Sequence, residues 1–319
     1  MDYRNFGKAG VKVSSICLGT AFRGSRNDEG LCIRTIERAL EQGINFIDCA
    51  NVYGTEPIVA KALRGRRDDV VLTSKVHSRI GPGPNDHSSS RYHIMREVER
   101  SLKRLEVDHI DIYLVHGFDA TTPVEETVRA MDDLARQGKI RYFGACNFNA
   151  WQVCEALWKC DVMGLDSFIG VQPQYNLLNR TEVEPELMPL CSKYGLGIMT
   201  YSPLAIGLLA GQFRRGQPPS AGTPWANGSR NYDFEAAMTE QADQVVEKLI
   251  YLAATRGKSP AQMAMSWILS HPEITSIIIG PDRPEHVDEA VGVVGWTLSS
   301  QERVELDEVS RYEQSRKFA

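Results

Sequence analysis

The sequence lacks any segment that would cross a membrane or direct export. No apolar run reaches the roughly 18 residues of a transmembrane helix, and no apolar stretch preceded by positive charge opens the chain. Neither sign of charge dominates, because 36 basic and 41 acidic residues leave a net charge of −5 at pH 7. We therefore expect a cytoplasmic protein that binds neither membranes nor nucleic acid.

Cysteine pairs at metal-binding or redox spacing are also missing. No two cysteines stand as Cys-x-x-Cys, and no histidine cluster accompanies them at zinc spacing. Several lie within apolar runs, where a free cysteine behaves as a small hydrophobic residue. We expect reduced thiols and no bound metal. The seven cysteines are Cys17, Cys32, Cys49, Cys146, Cys154, Cys160 and Cys191.

The sequence does contain a regular alternation of short apolar segments and amphipathic stretches. Eight segments are brief, rich in β-branched residues and apolar almost throughout, as strands buried on both faces are. These predicted strands are 14–18, 45–47, 70–73, 110–115, 140–145, 168–171, 196–200 and 275–279. Apolar residues at helical spacing predict helices between them, including 29–42, 91–105 and 123–137, the last capped by Thr122 ahead of a proline.

Eight strand–helix repeats without a long linker predict an α/β fold, a (β/α)8 TIM barrel that occupies residues 1–319 as a single domain. An open Rossmann sheet would carry a glycine-rich turn after its first strand, and residues 18–22 read LGTAF instead. Residues 1–13 predict a β-hairpin that turns at 7–10 and closes the bottom of the barrel. Residues 207–237 are rich in Gly, Pro, Ser and Asn, and they predict a long flap loop over the site.

Four polar residues follow three consecutive predicted strands. Asp48 comes directly after the strand at 45–47, and Tyr53 lies five residues later. Lys75 ends the next strand, and His116 ends the one after it. Because catalytic groups of a (β/α)8 barrel gather at the carboxyl ends of its strands, we expect these four side chains to meet there.

The four residue types suit the reduction of a carbonyl group. A tyrosine can protonate the developing alkoxide if a nearby ammonium favours tyrosinate, and a buried carboxylate keeps that ammonium charged and oriented. A neighbouring histidine can bond the substrate oxygen. Each residue alone has a structural explanation, such as a helix-capping Asp48, a solvated Lys75 or a rim His116. Their order at successive strand ends favours a catalytic set.

The segments around these residues resemble the signatures of the aldo-keto reductase superfamily. The similar segments are 47–54 (IDCANVYG), 73–76 (TSKV) and 111–116 (DIYLVH), and the resemblance extends over essentially the whole chain. It implies an NAD(P)-dependent oxidoreductase that reduces an aldehyde, ketone or sugar carbonyl, or oxidises the corresponding alcohol. Tyr53 would be the general acid–base and His116 its substrate-orienting partner. Lys75 and Asp48 would tune the tyrosine.

The resemblance also implies a nicotinamide site. Asn147 would bond the nicotinamide carboxamide, although serine is commoner in the family where Cys146 stands. Gln172 would bond the other side of that amide, and Tyr201 would stack on the ring, although an ordinary core tyrosine is the alternative. The remaining implied cofactor contacts are Gly19, Thr20, Asp48, Ser202, Pro203, Leu204, Gly207, Gln212 and Glu289.

The segment after the last strand resembles the part of the family that holds the adenosine 2′-phosphate at a helix start. Arg283 and His286 would donate to the phosphate. Asp282 would repel a phosphate and would instead accept from a ribose hydroxyl, as acidic residues do in NAD sites. The family often has asparagine where Ala290 stands and lysine where Gln212 stands. NADP(H) is favoured and NAD(H) is possible, with a plain surface helix cap as the alternative.

Substrate contacts are expected from loops at the catalytic face, around Tyr53 and His116. An aromatic group and a cation at the mouth suit many small carbonyl compounds, and no residue identifies one. His77 is equally explained as a solvated loop residue. The candidate residues are Phe22, Arg23, His77, Phe118 and Trp225.

Two other functions are consistent with parts of the pattern. Some members of the resembled family are cofactor-bound regulatory subunits of potassium channels, which generally carry additional N-terminal segments, whereas the hairpin predicted here starts almost at the first residue. A metal-dependent barrel hydrolase would need ligands on several strand ends, where only His116 and Asp48 qualify. We therefore expect an enzyme acting on a small molecule, as a monomer or weak homo-oligomer.

Overall fold

A closed barrel of eight parallel strands forms the centre of the computed structural model, which we describe over residues 1–25, 27–226 and 233–312. The strands pair in chain order, and the last pairs with the first through Ile277 and Ile16. The predicted (β/α)8 barrel is confirmed. Two hairpin strands are β1 (Tyr3–Asn5) and β2 (Lys12–Ser14), and the barrel strands are β3 (Ile16–Gly19), β4 (Phe46–Asp48), β5 (Val71–Val76), β6 (Ile110–Val115), β7 (Ile140–Cys146), β8 (Gly170–Gln172), β9 (Gly197–Thr200) and β10 (Ile274–Ile279).

Helices pack around the barrel and bury their apolar faces against it. Asp28, Ser90 and Ser259 each accept a backbone N–H at a helix start, as residues at this position commonly do. No helix in the described ranges is long and apolar enough to cross a membrane. The helices are α1 (Glu29–Glu41), α2 (Glu56–Ala62), α3 (Arg91–Leu105), α4 (Val124–Arg136), α5 (Ala150–Met163), α6 (Met188–Tyr194), α7 (Phe234–Ala237), α8 (Glu240–Arg256), α9 (Pro260–Leu269), α10 (Pro284–Val291) and α11 (Ser300–Val309).

One predicted helix cap is wrong. Helix α4 begins at Val124, and Pro123 precedes it without a side-chain cap. The Thr122 hydroxyl donates to Asp119 at 2.7 Å instead. Asp119 also accepts a hydrogen bond from the Thr121 hydroxyl. Both threonines of the loop after β6 are therefore bonded within that loop.

The N-terminal hairpin closes the amino end of the barrel, as predicted. Phe6 is fully buried and packs edge-on against Phe46, with ring centroids 5.6 Å apart. It lies on the first residues of β8 and β9, where Gly170 and Gly197 leave room for its ring. A Cβ atom on Gly170 would stand 2.4 Å from Phe6 Cε1, and one on Gly197 would stand 2.9 Å from Phe6 Cδ2. The hairpin thus requires glycine at both strand starts.

The predicted flap is irregular but not without packing. It contains a 3-10 turn at Leu208–Ala210 and helix α7, and residues 227–232 of it lie outside the described residues. Its aromatic residues Phe213, Trp225 and Phe234 pack together with Leu208 and Met238. The Trp225 indole also donates to the Ile206 carbonyl oxygen at 2.9 Å. A separate apolar cluster therefore holds the described parts of the flap.

We expect Gly170→Ala to destabilise the fold, because the new methyl group overlaps both the Phe6 ring and the Gly197 carbonyl oxygen, 2.6 Å away. Overpacking of this kind costs about 1–3 kcal/mol of unfolding free energy. Gly10→Ala, in the hairpin that carries Phe6, is the matched control, since nothing lies within 4 Å of its Cβ position. Urea unfolding followed by circular dichroism measures both, and equal midpoints for the two variants would contradict the interlock.

Candidate active site

A buried ion pair between Lys75 and Asp48 stands at the carboxyl end of the barrel. Asp48 is the last residue of β4, and Lys75 lies near the end of the adjacent strand β5. The Lys75 ammonium is fully buried and donates to Asp48 Oδ2 at 2.6 Å. It also donates to the Cys49 carbonyl oxygen at 2.9 Å and to Tyr53 Oη at 3.3 Å. All three of its protons are therefore placed, and Lys75 is not a solvated strand end.

The surroundings of Lys75 keep it charged. Burial disfavours the ammonium, but the Asp48 carboxylate and the Tyr53 oxygen outweigh that effect and raise the pKa of Lys75 above its ordinary value. Asp48 accepts a hydrogen bond from this ammonium and not from a backbone N–H at a helix start, so the helix-cap alternative for Asp48 is wrong. The two strands thus supply a fixed positive charge next to a phenol.

Tyr53 reaches that charge from a short 3-10 turn. The turn covers Asn51–Tyr53 and ends at Gly54, whose φ of 75° lies in the left-handed region that glycine adopts readily. The Lys75 ammonium is 4.9 Å from the centroid of the Tyr53 ring. Burial raises the pKa of Tyr53 to about 12, and the charge of Lys75 acts against this rise. Tyr53 is therefore protonated at neutral pH and has a proton to donate.

His116 lies next to the Tyr53 ring. The two rings meet edge-on with centroids 6.0 Å apart, and the His116 backbone N–H donates to Val76 at 2.8 Å. Burial lowers the pKa of His116 to about 3, assisted by the charges of Lys75 and His77. The imidazole is therefore neutral at physiological pH. The structure brings all four sequence-predicted polar residues together.

Two of the predicted nicotinamide contacts also lie beside His116. Asn147 follows β7 with a positive φ of 57°, and its Nδ2 donates to the His116 carbonyl oxygen at 3.0 Å. Its Oδ1 accepts from Tyr201 Oη at 2.8 Å, so the half-exposed Tyr201 ring is fixed at the mouth of the barrel. Burial raises the pKa of Tyr201 to about 12, against the nearby positive charge of Arg23.

The amide of Gln172, a predicted contact of the nicotinamide carboxamide, is bonded to other side chains of the protein. Its side chain is buried, its Nε2 donates to Asp48 Oδ1 at 2.9 Å, and its Oε1 accepts from the Cys146 thiol at 3.4 Å. Burial raises the pKa of Cys146 to about 12, so this thiol is a neutral donor. The Gln172 amide therefore joins the ion pair to the Cys146–Asn147 turn.

Gly19 and Thr20 have structural explanations in the barrel wall. A Cβ atom on Gly19 would stand 2.8 Å from Ile278 Cγ2 and 2.9 Å from the Ile279 carbonyl oxygen, so β10 requires glycine there. The buried Thr20 hydroxyl donates to the Asp48 carbonyl oxygen at 3.0 Å. The Thr20 hydrogen bond holds the end of β4, and with it Asp48, against the end of β3.

The segment after Tyr201 has a strained backbone. Ser202, Ala205 and Ile206 have φ values of 54°, 46° and 57°, and Gly207 has 86°. Left-handed conformations of non-glycine residues cost of order 1 kcal/mol each and concentrate at ligand sites. Successive turns of this kind create concave rows of backbone N–H groups that favour anions. Among the other predicted contacts here, Pro203 is buried, Leu204 is half-buried and Gln212 is exposed.

The predicted adenosine segment is held by Asp282. Its Oδ1 accepts the Gly24 backbone N–H at 2.8 Å, and its own N–H donates to His286 Nδ1 at 3.3 Å. Arg283 lies at the start of α10 with 62% of its side chain exposed, and its nearest carboxylate is Glu285 at 3.8 Å. Glu289 accepts from the Ser259 hydroxyl at 2.6 Å. The carboxylate of Asp282 is thus bonded to a neighbouring loop, whereas the guanidinium of Arg283 faces solvent.

The predicted substrate contacts fall into two groups. Phe22 is 2% exposed and Trp225 is 7% exposed, and both pack in apolar clusters, so neither offers much surface to a substrate. Arg23 is exposed near Tyr201. His77 is half-buried with its Nδ1 3.1 Å from the Ser89 hydroxyl, which excludes a fully solvated loop histidine. Phe118 lies two residues after His116 in the loop that follows β6.

Two residues that contact the predicted site residues were not predicted from the sequence. Trp151, on the first turn of α5, packs edge-on against Phe118 with centroids 5.6 Å apart, which extends the aromatic surface at the rim. Thr73 donates from its hydroxyl to Asp48 Oδ1 at 2.8 Å and is fully buried. A signal for Thr73 was present, because residues two apart in a strand share a face and Thr73 lies two residues before Lys75.

Similarity to known proteins extends over nearly the whole chain. The sequence model of the Aldo/keto reductase family matches residues 15–311. The aldo-keto reductase YhdN of Bacillus subtilis is 34% identical over 327 residues, which cover 97% of this chain and 93% of that protein. The uncharacterized oxidoreductase YrpG of the same bacterium is 36% identical over 315 residues, covering 94% and 93%. A probable voltage-gated potassium channel subunit beta of Arabidopsis thaliana is 36% identical over 301 residues, covering 92% and 91%.

We expect the His116 imidazole to stay neutral down to about pH 4, because burial and two neighbouring positive groups lower its pKa to about 3. Unfolding exposes it to its ordinary pKa of 6.5, so the unfolded chain takes up a proton that the folded chain refuses. This part of the stability is present above pH 6.5 and is lost as the pH falls. Nitrogen-15 NMR of the imidazole ring measures the midpoint, and a value near 6.5 in the folded protein would contradict the assignment.

Proposed function

The chain belongs to the aldo/keto reductase family, and we propose that it is an NAD(P)H-dependent oxidoreductase with Tyr53 as its proton donor. Its substrate would be an aldehyde, a ketone or a sugar carbonyl, or the corresponding alcohol in the opposite direction. The observation that carries the proposal is the line of hydrogen bonds from Asp48 through Lys75 to Tyr53, next to a neutral His116. Family membership by itself supports an oxidoreductase but not these roles.

The proton chemistry follows from the contacts of Tyr53. Its hydroxyl is protonated at neutral pH and can transfer that proton to a carbonyl oxygen that becomes an alcohol. The tyrosinate that remains is stabilised by the ammonium of Lys75, which Asp48 holds in place. His116 contributes the one N–H of a neutral imidazole, a hydrogen-bond donor for the same carbonyl oxygen.

Members of this family generally use NADPH or NADH, and the residues at the barrel mouth fit such a cofactor. A nicotinamide bound there would supply the hydride for the carbonyl carbon. The exposed face of Tyr201, fixed by Asn147, is a flat surface on which the ring would stack. The strained backbone at 202–207 would bind the pyrophosphate through its N–H groups.

NADP(H) is the cofactor that we favour. A 2′-phosphate needs a positive partner, and the exposed guanidinium of Arg283 at the start of α10 supplies one. The opposing carboxylate of Asp282 is held by the neighbouring loop, because its Oδ1 accepts the Gly24 backbone N–H. NAD(H) remains the alternative, since Asp282 can accept a ribose hydroxyl if this bond opens.

A second candidate is a cofactor-binding regulatory subunit with little turnover. The Arabidopsis relative bears the name of a potassium channel subunit beta, as does one from rice that is 36% identical over 296 residues. The polar set does not separate the two functions, because it would bind a nicotinamide cofactor in both. Turnover of NADPH with a panel of aldehydes, keto acids and sugars separates them directly.

We expect Tyr53→Phe to lower the rate of carbonyl reduction by about 100-fold or more, the usual contribution of a general acid. Nucleotide affinity should stay nearly unchanged, because only the hydroxyl group is removed. NADPH absorbance follows the reaction and tryptophan fluorescence quenching follows binding. Tyr251→Phe, on the exposed surface of α8, is the matched control. Loss of nucleotide binding in Tyr53→Phe, or unchanged turnover, would count against the proton-donor role.

We expect Arg283→Ala to raise the Kd for NADPH about tenfold or more, the loss associated with one charge-assisted hydrogen bond. The Kd for NADH should change less than about twofold, since NADH lacks the phosphate that Arg283 would bind. Fluorescence titrations of the same preparation with both nucleotides provide the comparison. Equal losses for the two nucleotides would show that Arg283 does not recognise the phosphate.

A further inference from the structure

The Asp48 carboxylate is bonded on both of its oxygens. Oδ2 accepts from Lys75 at 2.6 Å, while Oδ1 accepts from Thr73 at 2.8 Å and from Gln172 at 2.9 Å. All four side chains are buried. The three donors come from the two strands β5 and β8, so the carboxylate is bonded from two sides of the barrel.

The two donors on Oδ1 determine where Oδ2 points. The last torsion of an aspartate side chain is broad and has no strong intrinsic preference. A carboxylate bonded only through Oδ2 could therefore turn while it stayed close to Lys75. Donors on the second oxygen fix its plane, and this directs Oδ2 at the ammonium.

We propose that Thr73 is a positioning residue, which orients the Asp48 carboxylate so that Lys75 stays directed at Tyr53. The proposal rests on the proposed function, because it assigns Thr73 to the proton-transfer step. Thr73 stands opposite Asp48 in the β4–β5 register and shares a strand with Lys75 two residues later. One rigid strand therefore carries both the ammonium and the donor that orients its counter-ion.

Gln172 donates to the same oxygen, but a substitution of Gln172 would not test this contact alone. Its amide also accepts from the Cys146 thiol, and it would lie next to the nicotinamide in the proposed function. A change at Gln172 would thus alter cofactor binding and Asp48 together. Thr73 offers a single hydroxyl, and valine replaces it with nearly the same shape.

Loss of the Thr73 hydroxyl should act on Tyr53 through Lys75. A less well-held ammonium stabilises tyrosinate less, so proton transfer slows and the pH needed to form tyrosinate rises. Five groups face Tyr53 in this region, of which only the Asp48 carboxylate and the Lys75 ammonium are expected to move appreciably: Asp48, Lys75, His116, Cys146 and Tyr201. Substrate affinity should change little, because Thr73 lies behind the ion pair.

The test compares Thr73→Val with Thr73→Ser and with Thr200→Val. Serine keeps the hydroxyl, whereas Thr200 is an equally buried barrel threonine whose hydroxyl has no hydrogen-bond partner among the described residues. Thr73→Val should lower kcat about 10- to 100-fold, the effect of removing a hydrogen bond to a charged group, with KM changed less than about threefold. In the pH profile of kcat for alcohol oxidation, the rise that reports formation of tyrosinate should move to higher pH by about half a unit or more in Thr73→Val. Thr73→Ser and Thr200→Val should stay within about threefold of the unsubstituted protein.

A second measurement needs no turnover. The buried Lys75 ammonium should give a slowly exchanging nitrogen-15 NMR signal, which Thr73→Val should broaden or shift and Thr200→Val should leave in place. If no carbonyl is reduced by the unsubstituted protein, the proposed function fails and this signal still decides the role of Thr73. If Thr73→Val matches Thr200→Val in both the ammonium signal and kcat, Thr73 is only a packing residue and the proposal is overturned.

Discussion

The candidate site depends on the buried ion pair between Lys75 and Asp48. Removing two charges from water costs several kcal/mol per ion, and mutual attraction offsets this only when the geometry is good and the other polar atoms are also bonded. The site meets that condition, since Lys75 has three acceptors and Asp48 has three donors. Apolar side chains of similar volume would fill the same space at lower cost. We therefore relate these charges to the proton-donor role that we propose for Tyr53.

The barrel separates this costly arrangement from the part of the fold that stabilises it. At the amino end, Phe6 of the hairpin fits against glycines of β8 and β9, and this packing is apolar and close. At the carboxyl end, polar side chains of β4, β5 and β8 meet around Asp48. The division follows the general rule that the carboxyl ends of the strands in a (β/α)8 barrel carry the chemistry. Substitutions at the two ends should consequently have different effects, on stability at one and on rate at the other.

The sequence was sufficient for the eight strands and for the four polar residues, because both leave one-dimensional signals: apolar runs and the residues that end them. It was not sufficient for contacts that depend on register or on the path of a loop. The Thr73 hydroxyl bonds Asp48 because β4 and β5 pair at that position, and no pattern along the chain states the pairing. Phe22 and Trp225 lie in segments without periodicity, where burial depends on tertiary packing alone. A polar strand end is therefore predictable, and the orientation of its side chain is not.

Asp282 shows that the orientation of a side chain, and not only its residue type, determines which groups it can bind. Read along the chain, an acidic residue beside Arg283 argues against a phosphate. In the fold, strands β3 and β10 are neighbours that close the barrel, so the loops that follow them are neighbours as well. The Asp282 carboxylate accepts the Gly24 N–H of the β3 loop, and this bond ties the two loops together. This bond occupies one oxygen of the carboxylate and fixes its direction. The closure of the barrel thus gives Asp282 a structural partner, while Arg283 is an exposed positive group at the start of α10, beside the exposed Glu285.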